Sequence, residues 1–217
     1  LEKIHFSGKL VVARRQNVIR VYSLASKNAR TPHSRERALW AAQLLLRLYA
    51  PLPKKSFLQV LRMARLGVDL EVAPVSLLDS FITQGQAKSA IVDGVEFYWP
   101  GDESWAMEAQ EKVRFLAPFD PIVWDRARFE IFWNWRYRFE AYTPVSRRKM
   151  GYYAMPLLWR DQVIGWVNAR AIKGGFVFDP GFVAPKPKEK IFQREFDAEA
   201  DRFNVFMNPN SALEKAL

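Results

Sequence analysis

Residues 87–100 read A-K-S-A-I-V-D-G-V-E-F-Y-W-P. Two runs of strand-forming residues flank the dipeptide Asp93-Gly94, which favours a tight two-residue turn because both positions tolerate positive φ. The stretch therefore predicts a β-hairpin. The segments on either side of this hairpin decide which fold it belongs to.

Three short amphipathic helices are predicted to precede the hairpin, because apolar residues recur at helical spacing in three separate segments. The first helix begins with Ser34 as its N-cap and ends before Pro51. The second covers about residues 55–66, and the third runs from near Pro74 to about Thr83. Three helices followed by a β-hairpin are the arrangement of a winged helix-turn-helix module.

Residues 34–100 are therefore predicted to form a complete winged helix-turn-helix module, with its third helix in the recognition position. The module carries mixed charge, so two roles stay open for it: contact with nucleic acid, or a spacer. The triplet Gln84-Gly85-Gln86 follows the third helix, and Gly85 is expected to cap that helix.

A second, basic hairpin is predicted near the start of the sequence. Residues 8–24 read G-K-L-V-V-A-R-R-Q-N-V-I-R-V-Y-S-L, which are two β-rich runs around a polar turn at Arg15-Gln16-Asn17. A basic hairpin after a helix is typical of the wing of a winged helix. We interpret residues 1–33 as the end of one such module and a linker, and since the sequence begins at Leu1 we expect the natural N-terminus to lie upstream.

Residues 101–217 are predicted to form a β-rich domain that ends in an amphipathic helix. Asp125 is expected to cap a helix over residues 125–135. The other predicted elements are a helix over 104–112, strands over 113–116, 137–143, 152–159, 163–171 and 176–179, and a last helix over 188–207.

The composition excludes several kinds of chemistry. The chain has 217 residues, of which 49% are hydrophobic, so it is long enough to bury a core, and it contains no cysteine. Disulfides, cysteine-based zinc sites and thiol nucleophiles are therefore excluded, which suits a cytoplasmic protein. His5 and His33 are the only histidines, so a Ser-His-Asp triad would have to recruit one of them. There is no signal peptide and no apolar run of about 18 residues, so nothing predicts export or a membrane-spanning segment, and a membrane is not among the expected partners.

The net charge of +10 is concentrated in the first third of the sequence. Residues 1–68 contain fourteen Lys and Arg against two acids, Glu2 and Glu36, whereas residues 69–217 are slightly acidic. A one-sided basic field attracts the phosphates of nucleic acids. A solvated basic face and a membrane-surface patch are the alternatives, although the charges lie on predicted strands and short helices rather than on one amphipathic helix.

Residues 118–128, P-F-D-P-I-V-W-D-R-A-R, bring two acids close together. Asp120 and Asp125 are candidates for paired catalytic carboxylates. The interpretation we favour is structural, because Asp-Pro favours a turn at Asp120 and Asp125 directly precedes a helix. Arg126 and Arg128 are available to pair with either acid. Three tryptophans around this run and its helix are expected to belong to the core: Trp124, Trp133 and Trp135.

Residues 144–153, P-V-S-R-R-K-M-G-Y-Y, place Arg147, Arg148 and Lys149 in a row between two predicted strands. Cations hold phosphates, and the two tyrosines that follow could stack on an exposed base. The alternative, which stays open, is a charged hairpin tip in which the tyrosines alternate between core and surface.

Two long runs carry a resemblance to a known family. They are R-F-L-A-P-F-D-P-I-V-W-D-R-A-R at residues 114–128 and Y-R-F-E-A-Y-T-P-V-S-R-R-K-M-G-Y-Y-A-M-P-L-L-W-R-D-Q-V-I-G-W-V-N-A-R at residues 137–170. Both resemble winged-helix DNA glycosylases of the AlkZ/YcaQ type. The match is close over about residues 113–171 and looser over residues 1–100. Trp166 and Asn168 differ from the basic residue and the Asp that are common in that family.

The resemblance implies an α+β fold in which winged helix-turn-helix modules are followed by a C-terminal β-barrel-like domain. It implies hydrolysis of the N-glycosidic bond of bulky alkylated or crosslinked purines, with water as the nucleophile and no metal or organic cofactor. The catalytic Gln-x-Gln or Gln-x-Asp of the family lies before the first wing, so it is expected outside this chain. Gln84-Gly85-Gln86 has similar letters at another place, and no catalytic role is assigned to it.

We therefore predict the DNA-binding portion of a glycosylase, a monomer that contacts damaged double-stranded DNA. The residues expected to contact the DNA backbone are Lys9, Arg14, Arg15, Arg20, Arg147, Arg148 and Lys149. The residues expected to shape the entrance to the C-terminal domain are Asp120, Trp124, Asp125, Arg126 and Arg128. The alternatives are a non-catalytic winged-helix regulator and an RNA- or protein-interaction module.

Overall fold

The chain folds into a mixed α+β structure of two compact units, Leu1–Glu103 and Ser104–Leu217, in the computed structural model. The α+β class predicted from the sequence is confirmed. The structure describes residues 1–17, 19–26, 34–64, 74–104 and 108–208. Most of the predicted linker, including His33, and the end of the helix predicted over residues 55–66 lie outside these residues.

The first unit opens with a basic hairpin. Helix α1 (Glu2–Phe6) leads into strands β1 (Leu10–Gln16) and β2 (Ile19–Leu24), which pair antiparallel. The turn begins at Asn17, which has a φ of 56°. Of the predicted turn residues Arg15-Gln16-Asn17, only Asn17 lies in the turn, which begins two residues later than predicted because Arg15 and Gln16 still pair across the hairpin.

Three helices and a three-stranded sheet complete the first unit. In chain order the elements are α2 (Ser34–Tyr49), β3 (Leu52–Pro53), α3 (Lys54–Ala64), α4 (Pro74–Thr83), β4 (Ala87–Val92) and β5 (Val95–Pro100). The sheet order is β3-β5-β4, and both pairings are antiparallel. The predicted hairpin is confirmed: Val92 pairs with Val95, and Asp93 and Gly94 both have positive φ, as a type I′ turn requires.

The core of this unit lies between the helices and the sheet. Each helix contributes fully buried apolar side chains at helical spacing, which is the source of its stability in so small a unit. They are Ala38, Ala42 and Leu46 of α2, Phe57 and Leu61 of α3, and Leu77, Leu78 and Phe81 of α4. Leu52, Phe97 and Tyr98 of the sheet are also buried.

The second unit is built on a four-stranded antiparallel sheet. Its elements are β6 (Val113–Phe115), α5 (Arg126–Trp133), β7 (Met155–Trp159), β8 (Gln162–Ile172), β9 (Gly175–Phe182) and α6 (Lys190–Met207). The sheet order follows the chain, β6-β7-β8-β9. Phe192 of α6 is buried in a cluster with residues of β6, β7 and β8, so this helix covers part of the sheet.

Several predicted elements of the second unit are wrong. Residues 108–112 are not helical, residues 137–143 are not a strand, and the strand predicted from 152 begins only at Met155. Residues 137–143 are not a strand because the side chain of Glu140, within this segment, accepts hydrogen bonds from backbone N–H groups nine to eleven residues further along the chain. These contacts hold 137–143 as an irregular segment, where a strand would have paired with a neighbour.

Among the described residues, no helix is both long enough and apolar enough to cross a membrane.

Candidate nucleic-acid interface

The run at residues 118–128 forms a turn and a helix cap. The Asp120 carboxylate accepts a hydrogen bond from the backbone N–H of Ile122 at 2.9 Å, and its carbonyl accepts from the N–H groups of Val123 and Trp124. Asp125 is buried and accepts from the N–H of Arg128 at the start of α5, which confirms its predicted N-cap role. Both carboxylates thus serve the backbone.

The two arginines of this run also face inward. Arg126 donates to the carbonyls of Val123 and Pro118 and lies 4.4 Å over the ring of Tyr137. Burial lowers the pKa of Arg126, against the smaller opposing effect of Tyr137. Arg128 is only 1% exposed and donates to the carbonyl of Pro121. These guanidiniums therefore hold the turn together and do not belong to a binding surface.

Two of the three tryptophans near α5, Trp133 and Trp135, pack as predicted. Trp133 and Trp135 lie against a buried cluster that includes Phe129 and Tyr137, with ring centroids 4.7 to 5.9 Å from that of Phe129. Trp124 is half-buried and its backbone N–H donates to Asp120.

The basic loop is anchored by one buried carboxylate. Glu140, 5% exposed, accepts from three consecutive backbone N–H groups, at 2.8 Å from Lys149, 2.8 Å from Met150 and 3.3 Å from Gly151. Burial alone would raise the pKa of Glu140, but these N–H donors and the Lys149 cation together outweigh it and hold the pKa below its ordinary value. The loop is therefore fixed by an ionised carboxylate.

A second contact fixes the same loop from β8. The Asn168 side chain donates from Nδ2 to the carbonyl of Met150 at 2.6 Å. It also occupies the place that a Cβ on Gly151 would take, since such a Cβ would lie 2.5 Å from Asn168 Oδ1. Gly151 has a φ of +122°, which favours glycine at this position. An Asp at 168 could not donate this hydrogen bond when ionised, so the Asn suits this loop.

The three cations of the loop differ in their burial and in their contacts with other groups of the protein. Arg148 is half-buried, donates from Nε to the carbonyl of Thr143 at 2.8 Å and lies 5.0 Å over the ring of Tyr152. Arg147 and Lys149 are exposed. Tyr152 and Tyr153 are both exposed, at 59% and 42%, so the predicted alternation of the two rings between core and surface is wrong.

A groove of about 630 Å³ lies beside the loop, entirely within the second unit. Four cationic side chains line it: Arg136, Arg138, Arg147 and Lys149. The indoles of Trp135 and Trp166 line it too, nearly parallel at 22° with centroids 6.4 Å apart. Arg136 and Arg138 were missed from the sequence, although the alternation of cations and aromatics in W-R-Y-R-F at residues 135–139 is a pattern that nucleic-acid-binding proteins use.

The β1–β2 hairpin presents the other predicted cations. Lys9, Arg14, Arg15 and Arg20 are all exposed. Arg15 and Arg20 are directly opposite each other across the two strands, an arrangement that like charges disfavour. One weak ion pair offsets it, from Arg20 to Glu2 at 4.0 Å, and within the described residues Lys9, Arg14 and Arg15 form none. An anionic partner would relieve this repulsion.

The other motifs have structural explanations. His5 bonds through Nδ1 to the Leu10 carbonyl at 2.9 Å, so it joins α1 to β1. Gly85, at φ +69°, ends α4, and the N–H of Gln86 donates back to the Phe81 carbonyl. Helix α4 carries no Lys or Arg and exposes Asp79. In the part of the chain that the structure describes, no group of three or more His, Cys, Asp and Glu side chains could hold a metal ion.

The family of the chain follows from comparison with known sequences. Exposed cations on an α+β scaffold indicate a protein that binds nucleic acid. The family model for AlkZ-like DNA glycosylases matches residues 1–206, and the chain belongs to this family of DNA repair glycosylases. The resemblance stated from the sequence is thereby confirmed. No solved structure matches the chain.

Proposed function

We propose that this chain is the DNA-binding portion of a glycosylase that hydrolyses the N-glycosidic bond of bulky alkylated or crosslinked purines in duplex DNA. The observation that carries the DNA-binding part is the β1–β2 hairpin, on which Arg15 and Arg20 oppose each other without adequate compensation. Phosphates supply the missing negative charge, and a two-stranded ribbon is narrow enough to follow a groove of the duplex.

The order of elements in residues 34–100 supports a winged-helix module. Helix, short strand, two helices and a hairpin follow one another, and the short strand β3 joins the hairpin sheet next to β5. In this proposal α4 holds the recognition position, yet it exposes Ser76 and Asp79 and has no cation to face a phosphate. We therefore assign this module the role of a spacer, and the β1–β2 hairpin holds the duplex.

The hydrolysis itself is assigned to residues that precede Leu1 in a longer protein. A Gln-x-Gln or Gln-x-Asp there would position water at the sugar, without metal or organic cofactor. This assignment is supported by three acids of the second unit, Asp120, Asp125 and Glu140. Each directs a carboxylate oxygen to backbone N–H groups, which is a structural role rather than the activation of water.

The glycosylase proposal is tested on duplex DNA that contains one N7-alkylguanine. The full-length protein is expected to release the base and leave an abasic site, and the 217-residue chain alone is expected to bind the DNA without releasing it. Base release by the chain alone would contradict our placement of the catalytic residues. Binding without release by the full-length protein would favour the alternative, a non-catalytic DNA-binding protein, which the occupied carboxylates also fit.

A further inference from the structure

We propose that the groove beside the basic loop binds a short unpaired segment of single-stranded DNA, with the phosphates of the segment on the cations and one of its bases against the indoles. The inference deepens the proposed function, since it rests on the chain binding DNA. It assigns the second unit a different substrate form from the β1–β2 hairpin: single-stranded DNA in place of the duplex backbone.

The cations give the groove its affinity for phosphate. Arg136, Arg138, Arg147 and Lys149 line one cavity, and within the described residues none of the four forms an ion pair. Glu140, the one acid in the lining, directs its carboxylate to the backbone of the loop. The cavity therefore has a strong excess of positive charge, which favours the binding of an anion.

The indoles restrict the ligand further. Trp135 and Trp166 form an aromatic wall of the same cavity, and Trp166 is held flat across β9 because residue 181 is a glycine: a Cβ there would lie 2.2 Å from the ring. A planar base face stacks on such a wall. Inside a duplex each base face is covered by its neighbour in the stack, so an unpaired nucleotide offers a free face that the interior of a duplex does not. Cations beside flat rings are the usual elements of single-strand binding grooves.

The size and rigidity of the groove fit one or two nucleotides. Its volume of about 630 Å³ lies in the ordinary range for small-ligand sites. Its rim is preorganised, since Glu140 and Asn168 fix the loop that carries Arg147 and Lys149. A preorganised rim lowers the entropic cost of binding.

The test uses the whole chain with three fluorescent probes: an oligo(dT) of about ten nucleotides, within the usual range of single-strand site sizes, an oligo(rU) of the same length, and a blunt duplex. Trp166→Leu is expected to weaken oligo(dT) binding at least about fivefold, the lower limit for loss of one base stack. Trp166→Phe keeps a π face and is expected to recover most of that affinity. Arg138→Ala is expected to weaken oligo(dT) binding and to lower its salt dependence.

The matched control is Arg170→Ala, which removes an exposed cation of β8 that does not line the groove. It and the groove variants are expected to change duplex affinity less than about twofold, because the duplex is held elsewhere. The inference would be overturned if the groove variants lost affinity for oligo(dT) and for the duplex equally, or if Trp166→Leu and Arg138→Ala bound oligo(dT) as the unmodified chain does. Affinity of the unmodified chain for oligo(rU) ten times higher than for oligo(dT) would also overturn it. If the unmodified chain bound oligo(dT) through the groove but did not bind the duplex, the inference would stand and the duplex-binding proposal would be refuted. If the unmodified chain bound neither oligo(dT) nor the duplex, the inference and the duplex-binding proposal would both be refuted.

Discussion

Glu140 decides the shape of the second unit's basic loop. Its carboxylate is nearly inaccessible to solvent and accepts from three consecutive N–H groups, which is a stronger anchor than neutral partners provide. Two exposed cations and the wall of the groove depend on the position of this loop. A single buried acid therefore acts as a positioning residue for a cationic surface.

Replacing Glu140 by Gln should destabilise the loop, because a neutral amide oxygen accepts hydrogen bonds more weakly than a carboxylate and the added NH₂ group would compete for the same space as three N–H donors. We expect a loss of about 1.5–3 kcal/mol, the usual range for hydrogen bonds to a charged group. Faster amide hydrogen exchange in residues 144–153 measures it. Glu130→Gln, an exposed change on α5, is the control and should leave exchange unaltered.

The same residue predicts a pH dependence. The folded pKa of Glu140 lies below its ordinary value, about 4.3. Its contribution to stability is therefore fully present at neutral pH and is lost as the pH falls below 4.3 through the folded pKa. Exchange protection of the loop should fall over that window in the unmodified protein and vary less with pH in Glu140→Gln. Identical profiles for the two proteins would be inconsistent with an ionised carboxylate in this position.

Gly151→Ala should also disturb this loop, because its φ is +122° and Asn168 fills the space of a Cβ. We expect a loss of about 1–3 kcal/mol, the order of magnitude for such strained positions. Gly174→Ala is the matched control: its φ of +90° imposes strain, but a Cβ there would meet nothing within 4 Å. Unfolding of the two variants in urea should show the larger loss for Gly151→Ala.

At the scale of elements, the sequence predicted best what short-range interactions decide. The Asp93-Gly94 turn and the Asp125 cap act within four residues, and both were predicted correctly. Residues 137–143 alternate apolar and polar side chains as a strand does, and the prediction failed because Glu140 binds a segment nine to eleven residues away. Arg136 and Arg138 were missed for a related reason, since only the folded chain brings them together with Arg147 and Lys149.

If the winged-helix module is a spacer, changes in α4 should not affect DNA binding, although the helix in this position usually contacts the bases. Ser76→Ala combined with Asp79→Ala should change duplex affinity less than about twofold, because neither side chain can neutralise a phosphate. Fluorescence anisotropy with two duplexes of unrelated sequence measures it. A loss above about fivefold on one of them would mean that α4 reads base edges after all.

At the scale of the whole chain, charge and family agree. The cationic excess noted in the first 68 residues is carried in part by exposed side chains of the β1–β2 hairpin, and the chain belongs to the AlkZ-like DNA glycosylase family. In our proposal this hairpin binds duplex DNA, and the groove of the second unit binds single-stranded DNA. Charge counts alone could not separate the two, because they do not tell which arginines, such as Arg126 and Arg128, face inward.

The most direct test of DNA binding through the hairpin is the salt dependence of duplex affinity for Arg14→Ala/Arg15→Ala. The control is Arg170→Ala/Lys173→Ala, which removes the same charge from the second unit. We expect the hairpin variant to lose affinity to a similar degree on different sequences, and the slope of log K against log salt to become shallower by about two, nearly one per lost phosphate contact. An affinity and slope equal to those of the unmodified chain, or losses equal to those of the control, would contradict the account.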